Sequence, residues 1–457
     1  MYLVYSALLA VAMLLSLPYW LLQMRRHGKY RAGFAERMGR VPRRLQGVAI
    51  QQPASPSTSA ALQSVPPVIW VHAVSVGEVF AVSVLIDELR RHLPRHRIVV
   101  STTTDTGQAL ARKRFGESNV FYFPLDFAFA IRPYLASLRP QLVVIAETEF
   151  WPNFLRLAHA SGARVAVVNA RISDGSWPNY RRFRSLLRTV LANVDLFLAQ
   201  TEEDHKRLEE IGAAATRVAV AGNLKFDLSQ PAPPPIVASL RRALTEAGAA
   251  PVLVCGSTVD GEEPLLLKAF EHLLVSHPRA VMILAPRHPE RLAEVAVLLE
   301  QMGMRFWRRS LWSGKAVTGG VFLVDTMGEL AALYALADVA FVGGSLVPRG
   351  GHNIIEPAQH GKAIVVGTHT ENFRDIVSLF QRREAVRVVS PAELPLTLME
   401  LAANDAERVA LGRRALETMQ SQAGATARTV QALEKLLAEN CASAWPVPQS
   451  ALSAGSR

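Results

Sequence analysis

The stretch PPVIWVHAVSVGEVFAVSVLIDELRR, residues 66–91, decides the fold class. Its first half is an apolar run typical of a buried strand, and its second half places apolar residues at helical spacing. A buried strand that leads directly into an amphipathic helix is the repeating unit of parallel α/β sheets. One carboxylate, Glu78, stands at the junction, in the first turn of the predicted helix.

The same strand and helix pattern repeats along the chain in two series. The first series contains VIWVHAV, RIVVSTTT, NVFYFP, QLVVIAET, RVAVVNA, DLFLAQ and RVAVAGN, and the second contains PVLVCGST, AVMILAPR, GVFLVDTM, VAFVGGS and AIVVG. A proline-rich segment, LSQPAPPPI at 228–236, separates them. The sequence therefore predicts two doubly wound, Rossmann-like α/β domains that face a cleft, with ligands beyond the carboxyl ends of the strands.

A length of 457 residues exceeds what one hydrophobic core usually serves, which agrees with two domains. Two cysteines exclude a disulfide framework. The predicted organisation is a membrane anchor at 1–24, a basic segment and low-complexity insertion at 25–66, a first domain at 67–228, a linker at 229–239, a second domain at 240–435 and a tail at 436–457.

The N-terminus and the net charge of +11 both favour a membrane surface. Residues 1–24 carry no charge and are long enough to cross a hydrocarbon core. Residues 25–44 are rich in arginine, and basic residues beside a span stay on the cytoplasmic side. Pro18 leaves open a helix that enters one leaflet without crossing. The arginines fit either a stop-transfer flank or a patch that contacts anionic lipid.

Three charged residues follow strands of the predicted first domain. Glu78 follows the first strand, Glu147 follows the fourth, and Lys225 stands in NLKFD after the last. Glu78 is either a carboxylate that stabilises the helix dipole or a general base aimed into the cleft. Lys225 by itself carries no functional signal, because surface lysines are common.

The strand ends of the predicted second domain suit a phosphorylated ligand. In APRHPER, at 285–291, Arg287 is a phosphate partner beside a helix that Pro289 would begin. The stretch GGSLVPRGGHNIIEP, at 343–357, brings glycines to a helix predicted to open at Asn353, with Glu356 one turn inside as an acceptor for ribose hydroxyls. Ordinary tight turns are the alternative for these glycines. No Walker A or G-x-G-x-x-G motif occurs, which disfavours an NTPase or a dinucleotide dehydrogenase.

The motifs HAVSVGEV, TTTDTG, ETEFWPN, NARIS, NLKFD, APRHPER, DTMGEL and FVGGSLVPRGGHNIIEPA, in this order, resemble the 3-deoxy-D-manno-octulosonic acid (Kdo) transferases of lipopolysaccharide synthesis. The resemblance implies a GT-B glycosyltransferase fold. It also implies an inverting transfer of Kdo from CMP-Kdo to the lipid A precursor lipid IV-A, with release of CMP.

The resemblance assigns roles to individual residues. Glu78 would be the proton acceptor, and Glu147 and Lys225 would stabilise the transition state. The implied CMP contacts are Pro286, Arg287, Met327, Gly328, Glu329, Asn353, Ile354, Ile355 and Glu356. No metal or other cofactor is implied, since CMP-Kdo is a substrate.

The implied partners are CMP-Kdo, an anionic lipid acceptor and a membrane, with no nucleic acid. The implied location is the bacterial inner membrane, with the catalytic domains on its cytoplasmic face. Two other classes compete with this interpretation. A different GT-B enzyme, such as a soluble nucleotide-sugar epimerase, would not need the apolar N-terminus. A basic adaptor without activity would explain the charge but not Glu78, Glu147 or the glycine-rich strand ends.

Overall fold

The structure is a computed structural model that describes residues 1–27, 32–46, 66–227 and 234–443. The chain divides into two compact units, one of residues 1–228 with 423–457 and one of residues 229–422. Part of the predicted basic segment, the low-complexity insertion at 47–65, the first residues of the linker and the tail beyond 443 lie outside the described residues.

The first unit contains a parallel, seven-stranded sheet in the order β3-β2-β1-β4-β5-β6-β7. Its strands are β1 Val68–His72, β2 Arg97–Thr102, β3 Val120–Tyr122, β4 Pro140–Ala146, β5 Arg164–Ala170, β6 Leu196–Ala199 and β7 Val218–Val220. Its helices up to the linker are α1 Tyr2–His27, α2 Phe34–Arg37, α3 Val76–His92, α4 Asp105–Phe115, α5 Ala128–Leu138, α6 Pro152–Ala160, α7 Trp177–Arg182, α8 Arg184–Leu191 and α9 Glu202–Glu210.

Both faces of this sheet are buried, which explains why its strands are apolar without alternation. Within β1, Trp70 joins one hydrophobic cluster, while Ile69 and Val71 join another on the opposite face. All five residues of β1 are buried. The predicted doubly wound domain is confirmed for this half of the chain.

The second unit contains another parallel, seven-stranded sheet, in the order β10-β11-β9-β8-β12-β13-β14. Its strands are β8 Val252–Thr258, β9 Val281–Pro286, β10 Phe306–Arg308, β11 Gly320–Leu323, β12 Val339–Val342, β13 Ala363–Gly367 and β14 Arg387–Val389. Its helices are α10 Pro235–Glu246, α11 Glu263–Ser276, α12 Leu292–Gln301, α13 Leu330–Leu333, α14 Ile355–Gln359, α15 Arg374–Arg382, α16 Leu394–Ala403 and α17 Asp405–Gln420.

The last helix differs from its predicted place. The predicted second domain extends to residue 435, but α18, Ala425–Ser443, belongs to the first unit and packs against α3. Val430 and Leu433 are buried in the same cluster as Ile69. Asp227 holds the start of this helix, because its carboxylate accepts the amides of Gly424 at 2.7 Å and Thr426 at 2.5 Å. The helix returns because its apolar side completes one face of the first sheet.

The start of helix α1 contacts other residues of the first unit. The Tyr2 hydroxyl accepts a hydrogen bond from Asn193 Nδ2 at 3.0 Å, and Ser6 Oγ accepts one from Asn153 Nδ2 at 2.9 Å. The guanidinium of Arg156 lies 4.6 Å from the centre of the Tyr2 ring. In the described parts of the chain, no helix has the length and apolar character needed to cross a membrane, and the predicted anchor is not confirmed.

Candidate functional site

The strand order of the first sheet determines where its functional side chains gather. The order reverses between β1 and β4, which pair with each other in parallel. At such a reversal the loops leave in opposite directions, so a crevice opens beyond the carboxyl ends of the two strands. Glu78 follows β1 in the first turn of α3, and Glu147 directly follows β4.

The start of α3 fixes the Glu78 side chain. Ser75 is the N-cap residue, and its hydroxyl accepts the Glu78 amide at 3.4 Å. The same hydroxyl donates to Glu78 Oε1 at 2.9 Å, while Oε2 accepts the Val74 amide at 2.7 Å. This is a form of the capping box, S-x-x-E, in which each side chain serves the other end of the turn. Helix capping therefore orients Glu78, and it leaves the carboxylate with further acceptor capacity.

Glu78 is a buried carboxylate beside two others. Only 8% of the residue is exposed. Burial, which disfavours the charged form, raises the pKa of Glu78 to about 7, and the nearby charges of Glu147 and Glu149 act in the same direction. The Val74 amide and the Ser75 hydroxyl oppose this increase. A carboxyl group with a pKa near 7 suits general base catalysis at neutral pH.

Glu147 and Lys225 are brought together by the fold. Lys225 lies in a short 3-10 turn, Leu224–Asp227, that follows β7. Its ammonium group is 3.2 Å from Glu147 Oε1, and both side chains are about a quarter exposed. Glu147 has a left-handed backbone, with φ of 57°, and its amide donates to the Val168 carbonyl at 2.9 Å. A non-glycine residue in this region is unusual and often marks a functional site.

In the second unit, the ends of the strands that precede APRHPER, DTMGEL and GGSLVPRGGHNIIEP lie along the same edge of the sheet. β11, β9, β8 and β12 are consecutive in the sheet and parallel. β9 ends at Pro286, and the next residue, Arg287, is exposed. Burial raises the pKa of Glu356, and the positive charge of Arg287 opposes that increase. Burial also lowers the pKa of His352 to about 4, and the charge of Arg287 acts in the same direction. Arg287 and the 352–356 segment therefore lie close together.

The segment Asn353–Glu356 differs in detail from its prediction. The helix α14 begins at Ile355 rather than at Asn353, so Glu356 lies in its first turn rather than one turn inside. Asn353 Oδ1 accepts the Ile355 amide at 3.1 Å, and the Asn353 side chain also bonds to Glu356. Ile354 and Ile355 are fully buried, so the polar side chains of Asn353 and Glu356 are the ones that can meet a ligand.

The DTMGEL loop after β11 combines exposed and anchored residues. Met327 is 72% exposed, and Gly328 has a left-handed φ of 84°. The Glu329 carboxylate accepts two hydrogen bonds from Arg309, at 3.0 and 2.9 Å, and one from the Thr326 hydroxyl. Arg309 and Thr326 therefore occupy the carboxylate of Glu329, one of the residues that the sequence predicts to contact CMP.

Residues 32–228 match the family described as 3-deoxy-D-manno-octulosonic-acid transferase (kdotransferase). The 3-deoxy-D-manno-octulosonic acid transferase of Bordetella pertussis is 38% identical over an alignment of 388 residues, which covers 81% of this chain and 87% of that protein. The chain belongs to the Kdo transferase family. The Haemophilus influenzae transferase of the same name is 34% identical over 375 residues, 81% of this chain and 88% of the relative.

This Kdo transferase is therefore a glycosyltransferase of lipopolysaccharide biosynthesis. Its fold is similar to that of a solved UDP-GlcNAc 2-epimerase from Neisseria meningitidis, with a TM-score of 0.55 and 14% identity over 81% of this chain and 100% of that one. At that identity the likeness concerns the fold alone. Two parallel-sheet α/β domains of this kind are those of GT-B glycosyltransferases.

Glu262 is a residue of this Kdo transferase that the sequence did not single out. It is fully buried after β8, and its carboxylate accepts four main-chain amides, those of Val259, Gly344, Ser345 and Leu346, at 2.7–3.0 Å. It thereby joins the loop after β8 to the glycine-rich loop after β12. Gly343 must be glycine, because a Cβ there would lie 2.5 Å from the Ser257 carbonyl. In the sequence DGEE, nothing distinguishes Glu262 from the adjacent Glu263.

Proposed function

We propose that this Kdo transferase moves Kdo from CMP-Kdo to lipid IV-A with inversion at the anomeric carbon and releases CMP. The observation that carries this proposal is the buried Glu78 at the strand reversal of the first unit. Its raised pKa and its neighbours, Glu147 and Lys225, fit a base that activates a hydroxyl group next to a charged pair.

The proposed step is one displacement. The acceptor hydroxyl oxygen forms a bond to the anomeric carbon of Kdo while the bond from that carbon to the CMP phosphate oxygen breaks. The hydroxyl proton passes to the Glu78 carboxylate, and the bonding electrons leave with CMP. Transfer at such a carbon has an oxocarbenium-like transition state, which the Glu147 carboxylate would stabilise. Lys225 would face the carboxylate that Kdo itself carries.

The second unit would bind the CMP part of the donor. Arg287 offers an exposed guanidinium for the single phosphate, and Glu356 offers a carboxylate for the ribose hydroxyls. Pro286, the loop of Met327 and Gly328, and the segment from Asn353 to Glu356 would complete the contacts. We propose no metal or other cofactor, because Arg287 can offset the charge of a nucleoside monophosphate leaving group.

A donor and acceptor panel tests this function. The full chain, in detergent, would be given CMP-Kdo made during the assay, with lipid IV-A as acceptor, and products would be identified by mass spectrometry and anomeric NMR. We expect Kdo transfer with inversion, one CMP per linkage formed, and no loss of rate with EDTA. UDP-GlcNAc and another CMP-activated keto acid should give no product. Epimerisation of UDP-GlcNAc, or no transfer from CMP-Kdo, would contradict the proposal.

We also propose that the enzyme works at the inner membrane, with both units on its cytoplasmic face. The outer side of α1 exposes apolar residues, among them Leu3, Leu8, Leu14 and Leu15, each at least 65% exposed. Its start contacts Thr189 of α8. The stretch RRFRSL, at 181–186, adjoins this contact, and all six of its residues are exposed. It contains three arginines and two exposed apolar residues, Phe183 and Leu186. Apolar and basic residues on one surface fit an anionic lipid bilayer.

Vesicle flotation tests this surface. We expect Leu8→Asp with Leu15→Asp to reduce binding to vesicles containing anionic lipid at least tenfold, because two charges would enter the apolar face. The matched control is Leu311→Asp, which changes a leucine of similar exposure, 77%, in the second unit. Equal binding by the double variant and the wild type would contradict the proposal.

A further inference from the structure

Three carboxamide side chains hold the turn that carries Lys225. The Asn223 side-chain oxygen accepts the Lys225 amide at 3.0 Å, and the Asn169 side-chain oxygen accepts the Leu224 amide at 3.0 Å. Two consecutive main-chain amides are thus fixed by side chains rather than by a helix. Gln200 joins these two asparagines to each other.

The Gln200 amide uses both of its ends in this connection. Its Nε2 donates to the main-chain oxygen of Asn169 at 3.0 Å, and its Oε1 accepts Asn223 Nδ2 at 2.9 Å. A carbonyl oxygen only accepts, so the orientation of the Gln200 amide is determined by its partners. The hydrogen bonds form a closed ring from Asn169 to Gln200 to Asn223 and, through Leu224, back to Asn169. We call these three residues the carboxamide ring.

The carboxamide ring is anchored at the end of β5, which also holds Glu147. The Val168 carbonyl accepts the Glu147 amide at 2.9 Å, and the next residue, Asn169, supplies both of its oxygens to the ring. Asn169 is 1% exposed and has a left-handed φ of 54°, a conformation that asparagine tolerates better than most residues. One strand end therefore sets the positions of both partners of the ion pair.

The rest of the turn is fixed by burial. Leu224 and Phe226 are 0% and 5% exposed, and Asp227 is bonded to the start of α18. Between the two buried side chains, the Lys225 side chain reaches Glu147. Small changes in the turn would therefore move the ammonium group, and a displacement of about 1 Å can lower a rate by roughly 100-fold.

We propose that Gln200, Asn169 and Asn223 are positioning residues for Kdo transfer, which set the place of the Lys225 ammonium against Glu147 and act on the rate through it. This inference rests on the proposed role of Lys225 in the transfer. It assigns a catalytic purpose to the motifs NARIS and NLKFD beyond Lys225 itself. It does the same for Gln200, which lies at the end of the strand run DLFLAQ and outside the motifs that carry the family resemblance.

A double-mutant cycle tests the inference in the full chain. Gln200→Met keeps the length of the side chain and removes both hydrogen bonds of the ring. We expect kcat to fall about 10- to 100-fold with little change in the KM for CMP-Kdo. In a Lys225→Met background the same change should lower kcat less than twofold, because the group being positioned is gone. Amide hydrogen exchange at 224–225 should be faster in Gln200→Met.

The control and the second variant keep the test decisive. Gln108→Met removes another buried glutamine of the same unit, whose side chain bonds to Thr102, and should leave kcat unchanged. Should Gln200→Met fail to fold, Asn223→Ala opens the ring at a half-buried residue and should show the same non-additivity. If the losses of kcat in Gln200→Met and Lys225→Met simply added in the double variant, the positioning role would be overturned, and the proposed role of Lys225 would stand. An undiminished rate in Lys225→Met would instead overturn the role of Lys225 and the inference with it.

Discussion

Replacement of Glu78 with glutamine should lower the rate of Kdo transfer by about 10²–10⁴-fold, the usual contribution of a general base. Glutamine has the same shape, can accept the Val74 amide and can donate to the Ser75 hydroxyl, so the start of α3 should persist. CMP binding, a property proposed for the second unit, should stay within about twofold. Transfer is measured by mass spectrometry of the lipid product, and CMP binding by calorimetry.

The pH dependence supplies a second measurement on the same variant. A base must be ionised, and burial raises the pKa of Glu78 to about 7. The kcat/KM of the wild type should therefore rise tenfold per pH unit below about 7 and level off above it. The residual activity of Glu78→Gln should lack this rise. Glu88→Gln, which changes a partly exposed glutamate farther along α3, should keep the rise and the rate.

Stability should change with pH in the opposite sense. The unfolded chain ionises Glu78 near its ordinary pKa of 4.5, whereas the folded chain ionises it near 7. Between pH 4.5 and pH 7 the folded state therefore binds more protons than the unfolded state. The contribution of Glu78 to the free energy of unfolding is fully present below pH 4.5 and is lost as the pH rises through 7. The melting temperature of Glu78→Gln, relative to that of the wild type, should therefore increase from pH 5 to pH 8.

A near-normal transfer rate in Glu78→Gln would contradict the role of Glu78 as the base and would leave it as a helix-capping residue only.

Much of the fold could be predicted because its strands are buried on both faces. Val68–His72 and Val281–Pro286 are continuous apolar runs, and such runs between amphipathic helices are specific for parallel sheets. Two strands among the described residues were not predicted, β10 and β14. Each has three residues, and they lie at opposite edges of the second sheet with no more than one buried side chain. Short, partly exposed strands give no distinctive periodicity.

Contacts between distant segments were harder to predict than strands. The sequence placed residues up to 435 in the second domain, whereas α18 belongs to the first, because apolar periodicity does not tell which sheet a helix covers. Likewise, Glu78 stood out because it lies at a junction, whereas the position of Gln200 after an ordinary strand gave no signal. Its partners, Asn169 and Asn223, are 31 and 23 residues away. Side-chain hydrogen bonds of this range depend on strand order, which the sequence specifies only through the complete fold.

The three candidate catalytic residues of the first unit are positioned in the same way, each by the segment that follows a strand. Glu78 is oriented by the cap of α3, Glu147 by its own left-handed backbone directly after β4, and Lys225 by the turn after β7. None of these groups lies within a regular strand, so each can be adjusted while the sheet stays intact. The sheet provides the rigid frame, and polar side chains such as Ser75 and Asn223 set the final positions.

Replacement of Lys225 with methionine should lower kcat by about 10²–10³-fold, the usual effect of removing one group that stabilises transition-state charge. Methionine retains most of the length of the side chain but cannot pair with Glu147, 3.2 Å away in the wild type, or with an anionic sugar. The loss should appear in kcat, measured at saturating CMP-Kdo. Lys225→Arg should recover part of the rate, since it restores the charge with a different geometry. Lys206→Met, which removes an exposed lysine of α9, is the matched control and should be as active as the wild type. An increase in KM alone, with kcat unchanged, would show that Lys225 binds the ground state equally well and does not stabilise the transition state.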